Sequence, residues 1–517
     1  MIRSIFSVGG WTLLSRLTGF VRDIFMAAVL GAGPIADAFY IAFRLPNHFR
    51  AIFAEGAFNA AFVPAYARVK TQEGPGRAKA FADEILTGVV VVQLVILAGA
   101  LLGTQWLVGV LAPGLDAERF DLAVAFTRIT FPYLGLIAVV TLLGGVLNAN
   151  DRFWAAAAAS ILLNIAMVAT LSVAGLFETA GHAAAWGVLI SGFLQVGLLL
   201  FDAEGHGLHL RFGWPRLDAD MRAFLKALGP AIVGSAGVQL ALFADTLIAS
   251  FLPQGAVAAL FYADRINQLP IGVVGIAAGI VLLPEMSRRL AAGDEGGARL
   301  AQARAIELTL VLALPFVCAS LAIPELIMRG LFLRGAFTPE AAAAAAATLA
   351  AYTVGLFPFV VMRAFSAPFY ARGDTRTPVI ATLLAAVINI ALKVLLMDRF
   401  AQVGLAFATS VGAWINLGLL MLFARRQGIA FGDGALLRAL PRLALVGLAL
   451  GAALYFTAEW ARPALASLPA LREEARLFAC IMVGGAVYAV LLWFIIGPAQ
   501  LRALVRTPPA GKVTKVI

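Results

Sequence analysis

The stretch that decides the fold runs from Ser15 to Tyr66. It reads SRLTGFVRDIF (15–25), then GAGPIADAFYIAF (31–43), then RLPNHFRAIFAEGAFNAAFVPAY (44–66). Both flanks are apolar enough for membrane helices, yet charged residues lie inside them: Arg16, Arg22, Asp23, Asp37, Arg44, Arg50 and Glu55. An Arg or Asp at the bilayer centre costs roughly 2.5–3.5 kcal/mol. Four arginines facing lipid would cost roughly 10–14 kcal/mol, so we expect them to face protein, water or a ligand.

The rest of the composition agrees with a membrane protein. The chain has 517 residues, of which 62% are hydrophobic and only 13% charged, against about 25% charged in soluble domains. Apolar segments that are separated by charged residues or by Gly and Pro predict an all-α integral membrane protein with 14 transmembrane helices. Their approximate ranges are 3–30, 34–67, 79–110, 119–148, 154–176, 182–202, 220–252, 256–288, 300–328, 340–370, 377–397, 402–424, 436–458 and 474–498.

The distribution of basic residues predicts the orientation. With an even number of helices both termini lie on one side, and Lys and Arg are about three times as frequent in the loops of that side. Both termini are therefore expected in the cytoplasm, with the membrane lipids in contact with a basic tail at 501–517. This bias accounts for much of the +10 net charge, so no nucleic-acid partner is needed to explain it.

Few residues suit metal or covalent chemistry. The two cysteines, Cys318 and Cys480, lie in separate apolar runs, and the sequence has no CxxC or HxxxH and only four histidines. No nucleophile–base set is present either. The sequence therefore predicts no metal, no cofactor and no enzymatic activity.

The chain also repeats itself. Short matches recur in constant order at offsets of about 219–227 residues: FYIAF at Phe39 with FYADR at Phe261, Phe131-Pro132 with Phe357-Pro358, and Asn164 with Asn389. Six helices precede the second copy, which predicts two lobes related by a pseudo-twofold axis along the membrane normal, with a substrate site between them. The expected divisions are an N-lobe (1–203), a cytoplasmic linker (204–219), a C-lobe (220–427), two extra helices (428–500) and the tail.

The intramembrane charges have two interpretations. One is internal pairing, for example Arg16 or Arg22 with Asp23 or Asp37, and Arg44 with Glu55. The other is a cavity for an anion, because the cations exceed the acids and planar guanidinium groups suit phosphate. The cations counted are Arg16, Arg22, Arg44, Arg50, Arg265 and Arg363, and the acids are Asp23, Asp37, Glu55 and Asp264.

These residues also carry a family resemblance. SRLTGFVRD, GAGPIADAFYIAFRLPN and FRAIFAEGAFNAAFVP resemble the MurJ (MviN) family of lipid II flippases, in the multidrug/oligosaccharidyl-lipid/polysaccharide exporter superfamily. FYADRINQLPIGVVGIAAGIVLLPEMS (261–287) resembles the second signature of that family. The resemblance covers essentially the whole chain. It implies 14 helices in two lobes plus a C-terminal pair that forms a groove for a lipid tail.

The resemblance also implies a substrate and a site. The substrate would be undecaprenyl-diphosphate-linked disaccharide-pentapeptide (lipid II), moved from the cytoplasmic to the periplasmic leaflet of a bacterial inner membrane for peptidoglycan synthesis. The cell-wall synthesis machinery is a candidate partner. The diphosphate-binding arginines would be Arg16, Arg22, Arg50 and Arg265, with Arg44 and Arg363 as supporting cations and Asp37, Glu55 and Asp264 as gating or positioning acids.

Two features depart from the family pattern. Some members have a second Arg directly after the cavity Arg of helix 2, where this sequence has Ala51, and the second departure concerns a sodium site. Some members bind sodium between helices 7 and 11, using an Asp and an Asn/Asp pair four residues apart. Here Asp245 and Asn389 match, but the last position is Lys393. We therefore expect the Lys393 ammonium to occupy the place of sodium, with Asp245 as its counter-ion. The alternative is that Lys393 extends to the nearby interface, where Asp398 and Arg399 end the helix.

Three functions remain open from the sequence. The first is a lipid-linked oligosaccharide flippase working by alternating access. The second is a multidrug–cation antiporter of the same superfamily, although an Arg-rich cavity is unsuited to cations. The third is a non-transporting scaffold for the cell-wall machinery, which gives no reason to bury so many cations.

Overall fold

The computed structural model describes residues 2–50, 56–429, 434–468 and 471–498. The described residues form α-helices joined by short loops. The helices are α1 Ile2–Leu30, α2 Pro34–Arg50, α3 Gly56–Glu73, α4 Pro75–Leu102, α5 Thr104–Leu111, α6 Ala117–Thr130, α7 Tyr133–Asn148, α8 Trp154–Ser172, α9 Ala180–Glu204, α10 Ala219–Ser250, α11 Ala256–Pro270, α12 Ile276–Ala291, α13 Glu295–Ala322, α14 Pro324–Phe332, α15 Pro339–Thr353, α16 Leu356–Tyr370, α17 Arg376–Arg426, α18 Gly434–Ala464 and α19 Arg472–Leu491.

The helix boundaries follow local signals. Asp116, Thr179 and Asp218 precede α6, α9 and α10, and each side chain accepts a bond from the backbone N–H three residues on. That bond satisfies one of the donors that the first turn of a helix leaves unpaired. Proline begins α4 and α14, where its missing N–H costs nothing.

The apolar segments expected from the sequence coincide with these helices. Within the described ranges, nine helical segments are long and apolar enough to cross a membrane, which confirms an all-helical, multi-pass membrane protein. The count of 14 and the pseudo-twofold arrangement stay predictions. Several predicted spans contain more than one helix, such as α6 with α7. Conversely, α17 merges predicted helices 11 and 12 across a kink at Ala401, whose φ is 45° and ψ is −129°.

The chain divides into two compact units. The first comprises Met1–Ala258 with Arg334–Thr338, and the second Ala259–Leu333 with Pro339–Ile517. The predicted lobe boundaries at 203 and 220 stay predictions, while the contacts place α10 in the first unit. The short 334–338 segment joins that unit through a backbone bond from Ala336 N to Ala28 O of 2.7 Å. Gly335 makes this approach possible, since a Cβ there would lie 2.2 Å from Ala28 O.

Aromatic packing forms much of the core of the first unit. Phe58 and Phe62 of α3 stack with ring centroids 5.3 Å apart, and Phe224 of α10 meets Phe62 edge to face. Phe81 of α4 completes the cluster and is fully buried. Helices α3, α4 and α10 are therefore held together by large rings, whose burial contributes more than that of smaller apolar residues.

The second unit has its own core. Buried aliphatic and aromatic residues of α12, α13, α16 and α17 pack together, among them Met286, Ile306, Val360 and Leu420. Gln302 lies in this core with 1% exposure, and its Nε2 donates to the Ala364 carbonyl at 2.9 Å. A polar side chain that is satisfied in this way links α13 to α16 at little cost.

Candidate functional site

The first site in the membrane helices centres on Arg22 of α1, which is only 7% exposed. Its Nε and Nη2 donate to Asp23 Oδ1 at 3.1 and 2.7 Å, and its Nη1 donates to Asn164 Oδ1 at 3.0 Å. The amide of Asn164 in turn donates to Ser15 O at 3.1 Å and Thr18 Oγ1 at 3.0 Å. The guanidinium is thus oriented by α1 itself and by α8. The ion pair between Arg22 and Asp23 is one of the ion pairs expected if the intramembrane charges pair with each other.

Asp37 of α2 does not pair with Arg16 or Arg22. Its side chain is fully buried, and it accepts bonds from the backbone N–H groups of Gly255 at 2.7 Å and Ala258 at 2.8 Å. These groups belong to the start of α11, where the first turn leaves its donors unpaired. A carboxylate there also interacts favourably with the helix dipole. Asp37 therefore caps α11.

Arg119 of α6 completes this contact. It is 4% exposed, and its Nη1 lies 3.5 Å from Asp37 Oδ2 and donates to the Leu252 carbonyl at 3.0 Å. Its Nε donates to Asp116 Oδ2 at 2.8 Å. Hydrogen bonds from the Arg119 backbone N–H and then from its guanidinium hold the pKa of Asp116 below its ordinary value. One arginine thus joins the start of α6 to the loop before α11.

In the second unit, α11 presents the other charged pair. Arg265 is half-buried, and its guanidinium carbon lies 4.6 Å from the centroid of the Phe261 ring, a cation–π distance. Asp264 is also half-buried and accepts a bond from the amide of Gln268. The two neighbouring side chains are therefore stabilised by different residues of their own helix.

The remaining predicted cations differ in their surroundings. Arg16 of α1 and Arg363 of α16 are exposed, and Arg44 of α2 is half-buried. In the part of the chain that the structure describes, none of these three guanidinium groups has a hydrogen bond or an ion pair. The side chain of Arg50 and all of Glu55 lie outside the described residues.

The pairing of Asp245 with Lys393 stays a prediction, and the structure describes each residue in its own unit. Asp245 of α10, in the first unit, is half-buried. Lys393 of α17, in the second, is only 4% exposed, so protein encloses its ammonium group. Asn389 donates from Nδ2 to the Ala408 carbonyl at 3.0 Å, across the kink of α17. Which of the two interpretations of Lys393 holds stays a prediction.

Two residues of these networks were not expected from the sequence. Arg119 is not among the site residues that the sequence predicts, although Asp116 three residues earlier is a helix-capping signal that places Arg119 in the first turn of a helix. Asn164 counted only as part of the repeat. Asn164 is a carboxamide within an apolar helix. This position indicates a polar network, because a buried amide needs hydrogen-bond partners.

Comparison with known proteins agrees with the fold and the motifs. The family model of the lipid II flippase MurJ matches residues 26–469. A probable lipid II flippase MurJ from Rhizobium meliloti (strain 1021) is 39% identical over 99% of this chain and 97% of its own length. The lipid II flippase MurJ of Burkholderia cenocepacia is 33% identical over 95% of this chain and 97% of its own length.

Solved structures share the fold at lower identity. A lipid II flippase MurJ in an inward closed conformation superposes with a TM-score of 0.78 at 23% identity, covering 96% of this chain and 99% of that one. An inward-facing MATE multidrug transporter of the MOP superfamily gives 0.63 at 16% identity, covering 80% and 94%. The relatives that match along nearly the whole sequence are named as transporters rather than enzymes. From its signature motifs, its membrane helices and these full-length matches, the chain belongs to the MurJ family of lipid II flippases.

Proposed function

We propose that this protein moves lipid II from the cytoplasmic to the periplasmic leaflet by alternating access, with its intramembrane arginines binding the diphosphate. One observation carries the proposal. The acids of α1 and α2 already have partners, since Asp23 binds Arg22 and Asp37 binds Arg119 and α11. Arg16 and Arg44 are left without an acid among the described residues.

This arrangement suits an anionic head group. A guanidinium has five N–H donors in a planar fork that matches phosphate oxygens. Arg22 uses three of them for Asp23 and Asn164, which fixes its plane and leaves two for a ligand. Arg16 and Arg44 add charge, so that the diphosphate exchanges water for arginines while it crosses a medium that solvates ions poorly.

The rival functions fit these contacts less well. An exporter of organic cations would need acids free to receive them, but Asp23 and Asp37 are already occupied. A scaffold that does not transport would gain nothing from Arg16 and Arg44, for which the described part of the chain offers no acid partner. The proposal further places the lipid tail against α18 and α19, both termini in the cytoplasm, and the protein in the bacterial inner membrane.

The proposal is tested in cells depleted of their own flippase and in proteoliposomes that contain labelled lipid II. Wild-type protein should restore growth and make the lipid accessible in the opposite leaflet. The Arg16→Ala, Arg22→Ala double variant should lose at least ten-fold in rate at equal abundance. Arg425→Ala is the matched control, because Arg425 is exposed at the end of α17 and has no ion pair among the described residues.

Two results would contradict the proposal. One is full activity of the double variant at normal abundance. The other is competition for the site by cationic dyes and not by polyprenyl diphosphate, which would favour the multidrug antiporter.

A further inference from the structure

A polar, partly open cavity lies in the first unit, beside the Arg22 network. One chamber of about 180 Å³ is bordered by α3, α7, α8 and α9, and an adjoining chamber of about 290 Å³ by α1, α7 and α8. Asn148 and Ser160 line both chambers. Ligand pockets commonly occupy about 300–1,000 Å³, so the two chambers together have the size of a small-molecule site.

The lining is polar but uncharged. In the first chamber it includes the side chains of Asn59, Thr141 and Gln195, and in the second those of Thr12 and Ser15. None of the described residues that line either chamber is Asp, Glu, Lys, Arg or His. Carboxamides and hydroxyls both donate and accept hydrogen bonds. The cavity therefore suits a neutral ligand rich in hydroxyl and amide groups rather than an ion.

Gln195 of α9 indicates that something polar fills the first chamber. Its side chain is 2% exposed and lines the cavity, and it makes no hydrogen bond within the described part of the chain. Buried polar groups are nearly always hydrogen-bonded, because leaving the amide unpaired is costly. Water or a ligand in the chamber would satisfy this amide.

The position of the cavity relative to Arg22 indicates which part of a bound head group would reach it. Ser15 lines the second chamber, and its backbone carbonyl accepts a hydrogen bond from the Asn164 amide. The oxygen of the same amide accepts a bond from Arg22. Ser15 and Arg22 are seven residues apart, so they lie on one face of α1 about two turns apart. A head group with its diphosphate at Arg22 would thus place the groups attached to that diphosphate near Ser15, which lines the second chamber.

We propose that this cavity, with Gln195 and Asn148 as its hydrogen-bonding amides, binds the uncharged disaccharide of the substrate head group. The inference rests on the proposed function and names the part of the lipid that this subsite takes. The peptide part carries carboxylates, which an uncharged cavity would leave without a counter-ion. The sugars bear only hydroxyls and amides, which match the lining.

The test compares the binding of three lipids to the full-length protein in nanodiscs: polyprenyl diphosphate, the same lipid with the disaccharide whose lactyl carboxyl group is amidated, and the lipid with both disaccharide and peptide. Gln195→Leu should weaken the binding of both sugar-bearing lipids about ten-fold and leave polyprenyl diphosphate unchanged. Gln93→Leu is the matched control, because Gln93 of α4 is 7% exposed, its Oε1 has no partner, and it does not line the cavity. Ser160→Leu, which fills the space from another helix, should have the same selective effect and replaces Gln195→Leu if that variant fails to fold.

The other outcomes overturn the inference. Unchanged binding of all three lipids would mean that water alone fills the cavity, and equal weakening of all three would mean a purely structural role. Weakening confined to the peptide-bearing lipid would assign the cavity to the peptide. If the wild-type protein binds none of the three lipids, the proposed function itself fails. This outcome differs from failure of the cavity inference, because it appears in the wild-type protein and not only in a variant.

Discussion

Asp37 is a single carboxylate that connects three helices. It belongs to α2, caps α11 through two backbone N–H groups and lies against Arg119 of α6. The sequence suggested a gating or positioning acid rather than a substrate ligand, because a carboxylate repels diphosphate. That role stays a prediction, and the contacts show that each carboxylate oxygen of Asp37 faces a donor from the protein.

At the residue scale we predict that Asp37→Ala is more damaging than Asp37→Asn. The amide can still accept one backbone bond, whereas Ala leaves two buried N–H groups unpaired, each costing about 1–3 kcal/mol. Cysteine-accessibility labelling from both sides of the membrane should show a shifted inward/outward ratio for the Ala variant, together with reduced flipping. Asp121→Asn is the control, because Asp121 is exposed on α6 and has no ion pair in the described residues. An unchanged ratio with full activity would reject the role.

Among the elements, the linker before α10 is docked onto the first unit by polar contacts. Arg77 at the start of α4 pairs with Glu84 at 3.3 Å and with Asp218, the residue that caps α10. The linker backbone also bonds to α4, with Arg211 N donating to Asp83 Oδ1 at 2.7 Å. This segment therefore follows the surface of α4 through specific contacts.

At this scale we predict that Arg77→Ala lowers the thermal stability of the purified protein and exposes the linker to proteolysis. Glu84 is 7% exposed, so loss of its counter-ion leaves a buried carboxylate, at a cost of about 1–3 kcal/mol. Arg216→Ala should change neither property, because Arg216 is an exposed linker residue without an ion pair in the described part of the chain. Equal behaviour of the two variants would show that the Arg77 cluster does not hold the linker.

For the whole molecule, Asp245 and Lys393 raise the question of ion coupling. Lys393 is enclosed by protein in the second unit, and Asp245 belongs to the first unit. The family resemblance predicts that the ammonium group takes the place of a sodium ion. The ammonium group of Lys393 would be a permanent positive charge, in the place where another protein would bind a cation. Replacing only one member of a buried ion pair is costly, because it leaves the other charge uncompensated.

We therefore predict that transport by this protein is insensitive to sodium. Lys393→Ala should reduce flipping more than the Asp245→Asn, Lys393→Met double change, because only the single change strands a carboxylate. Flipping rates in proteoliposomes with sodium or potassium as the only added cation provide the measurement. Sodium-stimulated transport, or a double variant at least as impaired as the single one, would exclude the pairing.

The membrane class, the helix positions and the repeat followed from the sequence alone. Hydropathy is a local property, and helix ends carry local signals, so α8, α9 and α10 begin and end within a few residues of the expected bounds. The surplus of intramembrane arginines was equally visible, because the cost of a charge in lipid does not depend on the fold.

Only the tertiary structure decided which charge meets which partner. Arg22 binds Asn164, 142 residues away, and Asp37 caps a helix start 221 residues away. Composition and spacing are blind to such contacts, since long side chains reach partners on helices whose rotation and depth are set by packing of the whole unit. The uncharged cavity beside Ser15 has the same origin, because its lining comes from separate helices that bring their amides and hydroxyls to one place.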